Sequence, residues 1–162
     1  MKEQLDRIDL KILRILQRNG RMSNIELSKR VNLSPAPCLA RVRRLEKSGY
    51  ITGYKAELNP ELLGFSLLAY VEITLDRTTP DVFEKFKQAV QDVPETEECH
   101  MVAGGFDYLI KVRSPDMDTY RKILGEKIAT LPGVLQTHTY VVMEQVKRAG
   151  ELNIRDKYAV HT

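Results

Sequence analysis

The stretch that decides the fold spans residues 24–45 and has the sequence NIELSKRVNLSPAPCLARVRRL. Ser23 and Glu26, three residues apart, form the signature of a capping box, which begins a first short helix. Ser34 followed by Pro35 marks the start of a second helix, because Ser caps orphan amides and Pro fits the first helical position. Two short helices joined by a tight turn predict a helix-turn-helix, which places its second helix in a DNA groove.

The second helix is expected to present a basic outer face. Leu39, Val42 and Leu45 recur at helical spacing, which predicts that they face the core. Arg41 and Arg44 then lie mainly outside, beside small apolar side chains that suit thymine methyl groups. A basic face that is simply solvated is the alternative interpretation. We predict DNA contacts from Asn24, Ser34, Ala36, Pro37, Ala40, Arg41, Arg43 and Arg44.

The distribution of charge supports a nucleic-acid-binding N-terminal part. Residues 1–59 hold 13 Lys and Arg against 6 Asp and Glu, a balance of +7. The rest of the 162 residues hold 12 against 16, a balance of −4. This asymmetry is typical of a phosphate-binding module joined to a module that does not bind DNA.

Several classes of protein are not indicated by the composition. No apolar run approaches the ~20 residues of a membrane span, and the N-terminal residues lack a signal-peptide core. Cys38 and Cys99 are isolated, and His100, His138 and His161 lack metal-ligand spacing. No nucleophile–base pair or phosphate loop is evident, so we expect no enzyme activity, metal or cofactor. The chain is predicted to be cytoplasmic and nucleoid-associated, without a membrane partner.

The N-terminal domain is predicted to be a three-helix winged helix-turn-helix over residues 1–58, with the helix-turn-helix at about 24–43. Residues 5–18 repeat apolar positions at helical spacing and supply the first helix. Asn32 is expected in the turn, in a left-handed backbone conformation. Residues 50–54 and 55–58 predict the two strands of a small wing, and residues 59–65 predict a hinge.

The second domain, residues 66–148, is predicted to be ferredoxin-like, so the chain belongs to the α+β class. Strand patterns at 66–75, 98–103, 108–113 and 137–146 alternate with two helical patterns that start after Thr79 and Ser114, in the order βαββαβ. Both helices would cover one face of the sheet. The other face, with Tyr70 and Leu109, would be left open to a second copy. Residues 149–162 are predicted to form a C-terminal tail.

The runs LSPAPCLARVRRLEKSGYITGY, ECHMVAGGFDYLIKVRSPDM, YRKILGEKIATLPGV and TYVVMEQVK resemble the Lrp/AsnC (feast/famine) transcription regulators, and in particular their leucine-responsive branch. This resemblance implies a homodimer through the C-terminal (RAM) domains, further assembly to octamers, and binding to pseudo-palindromic double-stranded DNA. It also implies control of amino-acid metabolism by a small amino-acid effector such as leucine, alanine or methionine. The alternative is a nucleoid-associated architectural DNA-binding protein with little effector control.

The loop at residues 104–108 is the predicted effector site. Gly104 and Gly105 permit a tight turn whose amides can hold a carboxylate, and Asp107 can accept hydrogen bonds from an ammonium group. A plain hairpin turn is the alternative from the residues alone. In similar regulators this loop lines an effector pocket between dimers, although many relatives carry Asp or Asn at the position of Gly105. We predict effector contacts from Met101, Gly104, Gly105, Phe106, Asp107, Tyr108, Met117, Tyr140, Val141 and Val142.

Overall fold

The structure is a computed structural model that describes residues 5–148 and 150–155. The chain divides into two compact units, one formed by Met1–Glu57 with Lys147–Thr162 and the other by Leu58–Val146. The predicted tail therefore belongs with the N-terminal residues, although its positions 149 and 156–162 lie outside the described residues.

Three helices build the first unit: α1 (Arg7–Arg18), α2 (Asn24–Arg30) and α3 (Pro35–Lys47). The Ser23 side chain caps α2 by accepting a hydrogen bond from the Glu26 amide. The Glu26 carboxylate bonds to Arg30 at 2.8 Å, so the other half of the predicted capping box is replaced by an ion pair one turn further on. Ser34 is the N-cap residue of α3 and Pro35 its first residue, as predicted, but the Ser34 side chain makes no cap bond.

The core of the first unit joins all three helices, through Ile12, Leu16, Leu27, Val31, Cys38 and Leu45. Asn32 has φ of 57°, the left-handed conformation predicted for the turn. Leu39 is 37% exposed, so the prediction that it faces the core was wrong. Its neighbour Cys38 takes that place, because positions 38, 42 and 45 share one face of the helix.

The predicted wing strands do not form. Residues 50–58 follow α3 without strand pairing. Tyr54 instead folds back on the helices, and its hydroxyl donates a hydrogen bond to Glu46 at 3.0 Å. Its ring covers Gly20, where a Cβ atom would lie 2.9 Å from Tyr54 Cδ1. Burial and the nearby Glu46 carboxylate raise the pKa of Tyr54 to about 12.

The second unit has the predicted βαββαβ order: β1 (Leu67–Leu75), α4 (Pro80–Val90), β2 (Thr96–Met101), β3 (Tyr108–Ser114), α5 (Met117–Ile123) and β4 (Val134–Val141). A single π-helical turn, Leu124–Ile128, extends α5. The sheet order is β2-β3-β1-β4 and every neighbouring pair is antiparallel. This confirms the α+β class. Strands β2 and β4 begin and end earlier than predicted, because turns and not side-chain alternation set their ends.

One face of the sheet packs against α4 and α5, with Val71, Ile73, Ile110 and Val112 fully buried. The opposite face is charged as well as apolar. Lys111 lies 2.9 Å from Glu98 and 3.1 Å from Glu97, and Arg113 also pairs with Glu97. These partners lower the pKa of Glu98 and, against the opposing effect of burial, also that of Glu97. The open face is thus less apolar than its strand pattern predicted.

The predicted hinge is a hydrogen-bonded turn. The Asn59 side chain accepts bonds from the amides of Glu61 and Leu62, and Phe65 N–H donates to the Pro60 carbonyl at 2.8 Å. Within residues 5–148 and 150–155, no helix has the length and apolar character to cross a membrane. The same residues hold no cluster of metal-ligating side chains.

Candidate DNA-binding and effector sites

An acidic pair at the start of α1 holds α3 in place. Asp6 and Asp9 form a reciprocal capping box, in which each carboxylate accepts the other residue's amide. The Asp9 side chain is 1% exposed and accepts hydrogen bonds from Arg41 Nη1 at 2.8 Å and Arg44 Nη2 at 2.5 Å. Arg41 also donates to Asp6 at 2.6 Å. A buried carboxylate needs such partners, so these contacts tie α3 to α1.

The placement of Arg41 and Arg44 corrects their predicted orientation. Both side chains turn towards α1 and engage its carboxylates, so they are not the free outer-face cations that the helical periodicity predicted. Burial opposes the charged form of Arg41, but its bonds to Asp6 and Asp9 outweigh that effect and raise its pKa. Burial likewise opposes the charged form of Asp6, yet the Asp9 amide and Arg41 lower its pKa. For both side chains, the hydrogen bonds and opposite charges within the unit together outweigh the effect of burial on the pKa.

A different row of residues forms the outer face of α3. Ala36, Ala40, Arg43 and Lys47 are all exposed and follow one another at spacings of four, three and four residues, which places them on one face. Among the described residues, neither Arg43 nor Lys47 makes an ion pair. This row, called the α3 ridge below, has a small apolar half and a basic half. Lys47 was missed in the sequence, although its spacing of four from Arg43 is the signal that identifies it.

The remaining predicted DNA contacts surround the start of α3. Pro37 and Ser34 are exposed there. Asn24 serves the fold, since its Nδ2 donates to the Pro35 carbonyl at 2.8 Å and links the starts of α2 and α3. Its Oδ1 is buried, and no described residue donates to it. Asn24 is therefore only partly exposed, a placement the sequence did not predict.

The predicted effector loop is fastened to the sheet through Asp107. The Asp107 amide donates to the Ile73 carbonyl at 2.9 Å, and its Oδ2 accepts from the Leu75 amide at 2.8 Å. One carboxylate oxygen that was predicted to bind an ammonium group thus bonds to the backbone of β1. Gly104 and Gly105 are exposed and neither has positive φ, so no left-handed turn requires glycine there. Open space surrounds the position of a Cβ atom at either residue.

Tyr108 lies in the core and not in a pocket, which corrects its predicted role. It is 2% exposed and packs against Phe86, with ring centroids 4.4 Å apart. Its hydroxyl is buried and unpaired among the described residues, and burial raises its pKa. Strand alternation explains this placement, because Tyr108, Ile110 and Val112 share the face that the helices cover.

The other predicted effector residues fall into two groups at opposite ends of the sheet. Phe106 lies in the loop itself, and Met101 ends β2 beside it, opposite Tyr108 and near Ile73. The second group lies near the start of β1, where Val142 N–H donates to the Leu68 carbonyl. At about 3.3 Å per residue, five residues of β1 separate the groups by roughly 16 Å. That second group contains Met117, Tyr140, Val141 and Val142.

Within one chain, these two groups do not converge on a single pocket. Tyr140 pairs with Tyr70 and Val141 with Ala69, so the two neighbours point to opposite faces of the sheet. Tyr140, Val141 and Met101 are 54%, 44% and 57% exposed, which leaves their side chains open to a ligand or another copy. The Glu72 carboxylate raises the pKa of Tyr140 across the same face.

A three-helix unit with an exposed, half-basic second helix, joined to a βαββαβ unit with an exposed loop, defines a DNA-binding regulator with a separate ligand-binding domain. Family models agree with both parts: a winged helix-turn-helix DNA-binding model matches residues 5–52, and the Lrp/AsnC ligand binding domain matches residues 68–152. The chain belongs to the Lrp/AsnC family of transcriptional regulators.

Individual relatives cover almost the whole chain. The leucine-responsive regulatory proteins of Escherichia coli K12 and Klebsiella pneumoniae are each 61% identical over 155 residues, which span 96% of this chain and 94% of theirs. The crystal structure of a transcriptional regulator from Neisseria meningitidis in complex with L-Met has 36% identity and a TM-score of 0.86. Its alignment covers 92% of this chain and 97% of that one. These relatives are transcriptional regulators and not enzymes.

Proposed function

We propose that the chain regulates transcription of amino-acid metabolism genes by binding specific double-stranded DNA through the α3 ridge, under the control of a small aliphatic amino acid. The observation that carries this proposal is that one set of α3 side chains binds α1 while another set is exposed. Arg41 and Arg44 are used to hold the helix, while Ala36, Ala40, Arg43 and Lys47 remain exposed on one face. A helix that is fixed to α1 on one face and exposed on the other can enter the major groove of DNA.

The halves of the ridge suit different parts of DNA. Ala36 and Ala40 bring no long side chain, so the backbone of α3 can approach base edges and their side chains can contact thymine methyl groups. Arg43 and Lys47 extend from the C-terminal half of the helix to guanine edges or phosphates. Asn24, Ser34 and Pro37 border the start of the helix and complete the proposed contact surface.

The proposed effector is a small amino acid such as leucine or methionine. Two relatives support it through their names, one as leucine-responsive and one as a complex with L-Met. Asp107 retains one carboxylate oxygen beyond its bond to Leu75, and the exposed loop amides at Gly104 and Gly105 suit a carboxylate. Because the two predicted groups lie at opposite ends of one sheet, we place the complete pocket between copies of the chain.

This arrangement requires an assembly. We propose a homodimer that uses the second unit, with higher assembly to an octamer or a similar form, acting on pseudo-palindromic sites in the cytoplasm at the nucleoid. A two-fold axis in the protein would match the symmetry of such sites. The domain limits that we propose are 1–58 for DNA binding and 66–148 for effector binding and assembly.

The test compares two arginines on the same helix. Arg43→Ala is expected to weaken operator binding and, if the side chain grips phosphate, to reduce the slope of log affinity against log salt by about 1. Arg41→Ala is expected to lower the stability of the fold first. Gel-shift titrations at several salt concentrations and thermal melts of both variants separate the two effects. Unchanged operator affinity in Arg43→Ala would remove the α3 ridge as the reading surface.

A second measurement tests effector control. Isothermal titration calorimetry with each of the twenty amino acids, with and without operator DNA, is expected to find an aliphatic ligand whose affinity changes when DNA is present. Thermodynamic linkage requires this change in both directions. Specific DNA binding with no amino-acid response would instead describe an architectural protein.

A further inference from the structure

The face of α1 that carries Arg14 and Gln17 contacts the returning C-terminal segment. Gln17 Nε2 donates to the Leu152 carbonyl at 3.1 Å, and the Leu152 amide donates back to Gln17 Oε1 at 3.1 Å. Arg14 Nε donates to the Ile154 carbonyl at 2.9 Å. The segment itself bends, because the Ile154 amide donates to the Leu152 carbonyl at 2.8 Å in a three-residue turn. These side chains therefore bind the backbone of a shaped peptide.

Side chains of the segment add chemical selectivity to this backbone recognition. Glu151, the residue before Leu152, forms an ion pair with Arg18 at 2.8 Å. Residues 152–154 line a mostly apolar cavity of about 810 Å³ whose other walls are Leu5, α1 and residues 50–54. Residues 14, 17 and 18 share one face of α1, so the helix presents one amide and two guanidinium groups together. The pattern that this surface fits is acidic, apolar, any residue, apolar.

The contact is made in a way that allows release. Leu152 is 76% exposed although it borders the cavity, and of the two apolar residues of the segment only Ile154 is partly buried. Arg18 and Glu151 are 70% and 45% exposed, and such ion pairs are weak and screened by salt. Elements held by exposed hydrogen bonds and few apolar contacts open at low cost in free energy.

We propose that this face of α1 is a peptide-docking surface whose ligand is the chain's own segment 151–154, and that its occupancy sets how firmly the DNA-binding unit holds α3. α1 is the element that links the two, because Asp6 and Asp9 at its start bind Arg41 and Arg44 of α3. The docking itself stands on the contacts of α1. The effect on DNA rests on the proposed function.

Hydrogen exchange in the full-length chain tests the docking. The Leu152 amide is expected to be protected in the wild type and to lose that protection in Gln17→Ala, because its acceptor is removed. Gln91→Ala is the matched control, since Gln91 is an exposed glutamine directly after α4 whose side chain, among the described residues, bonds to the Lys87 carbonyl of the preceding turn. A Leu152 amide that exchanges freely in the wild type overturns the docking.

A peptide added in trans provides a second test. The synthetic peptide GELNIR, residues 150–155, is titrated into a variant truncated after residue 149, and two-dimensional NMR follows the backbone amides. Chemical-shift changes confined to residues 10–18 and 50–54 are expected. The peptide affinity derived from them should fall about tenfold or more with a Leu152→Ala, Glu151→Lys peptide or with a Gln17→Ala protein. Shifts elsewhere, or none with a folded truncated chain, overturn the proposal.

Operator affinity separates the two parts of the idea. Gln17→Ala is expected to bind operator DNA several-fold more weakly than the Gln91→Ala control, and excess peptide is expected to restore affinity to the truncated chain. Normal DNA affinity together with lost Leu152 protection overturns the coupling to α3. A wild-type chain that binds no DNA overturns the proposed function instead, while the exchange and NMR results still decide the docking.

Discussion

Asp9 of α1 and Arg44 of α3 form an ion pair across the DNA-binding unit, with Asp9 Oδ2 2.5 Å from Arg44 Nη2. The carboxylate is 1% exposed and also accepts bonds from Arg41 and from the Asp6 amide, so each of its oxygens is used. This relationship assigns two arginines to the interior support of α3. It leaves Arg43 and Lys47 as the exposed cations of that helix.

Asp9→Ala is expected to destabilise the DNA-binding unit, because it removes the buried carboxylate that Arg44 bonds and leaves Arg41 with Asp6 alone. Loss of one partner of a buried pair costs about 3–5 kcal/mol, and the partial exposure of Arg41 and Arg44 reduces the expected loss to about 2–3 kcal/mol. Chemical denaturation followed by circular dichroism measures it. Asp118→Ala, at a side chain 92% exposed, is the control, and an equal effect from both variants would contradict the assigned role.

Acid is expected to weaken the same network through Asp6. Its pKa in the fold lies below its ordinary value of 3.8, so its contribution to stability is full above that value and is lost as pH falls through the lower, folded value. The difference in melting temperature between wild type and Asp6→Asn should therefore be largest near pH 6 and shrink below about pH 4. A difference that stays constant down to pH 3 would show that Asp6 acts without its charge.

Two substitutions at Asp107 separate its structural bond from effector binding. Asp107→Asn keeps an oxygen that can accept from the Leu75 amide but removes the negative charge, whereas Asp107→Ala removes both. Asn is expected to retain most of the stability of the second unit and to weaken amino-acid affinity about ten- to a hundredfold, the cost of a charge-assisted bond. Calorimetry measures the amino-acid affinity of each variant, and thermal melts measure its stability. Wild-type effector affinity in the Asn variant would confine Asp107 to a turn role.

Two glycines are expected to respond differently to alanine. Gly133 has φ of +77°, and a Cβ there would lie 2.5 Å from Val82 Cγ1, so Gly133→Ala should destabilise the second unit by at least ~1–2 kcal/mol. Gly105→Ala meets open space without positive φ and should leave stability unchanged. The Gly105 variant therefore tests the loop as a ligand surface. Loss of amino-acid binding without loss of stability is the expected result.

The same distinction between local and distant contacts explains which predictions were wrong. The left-handed turn at Asn32 and the alternation in β1 depend on a few neighbouring residues and were confirmed. Arg41 and Arg44 were placed on the outer face because helical periodicity cannot reveal an acceptor 32 or 35 residues away on another helix. Tyr108 was assigned to a pocket from its loop, although its strand position directs it into the core.

The sequence by itself determined the helix-turn-helix and the βαββαβ order, because periodicity, caps and breaker residues act over short spans. It also identified the family, through runs of residues that resemble those of its members. Tertiary structure decided which cations remain exposed on α3, separated the two groups of predicted effector residues along the sheet, and brought Leu152 back to Gln17. Those outcomes depend on which faces pack together. The free energy of burying a polar or charged side chain depends on hydrogen-bond partners that lie far away in the chain and reach it only after folding.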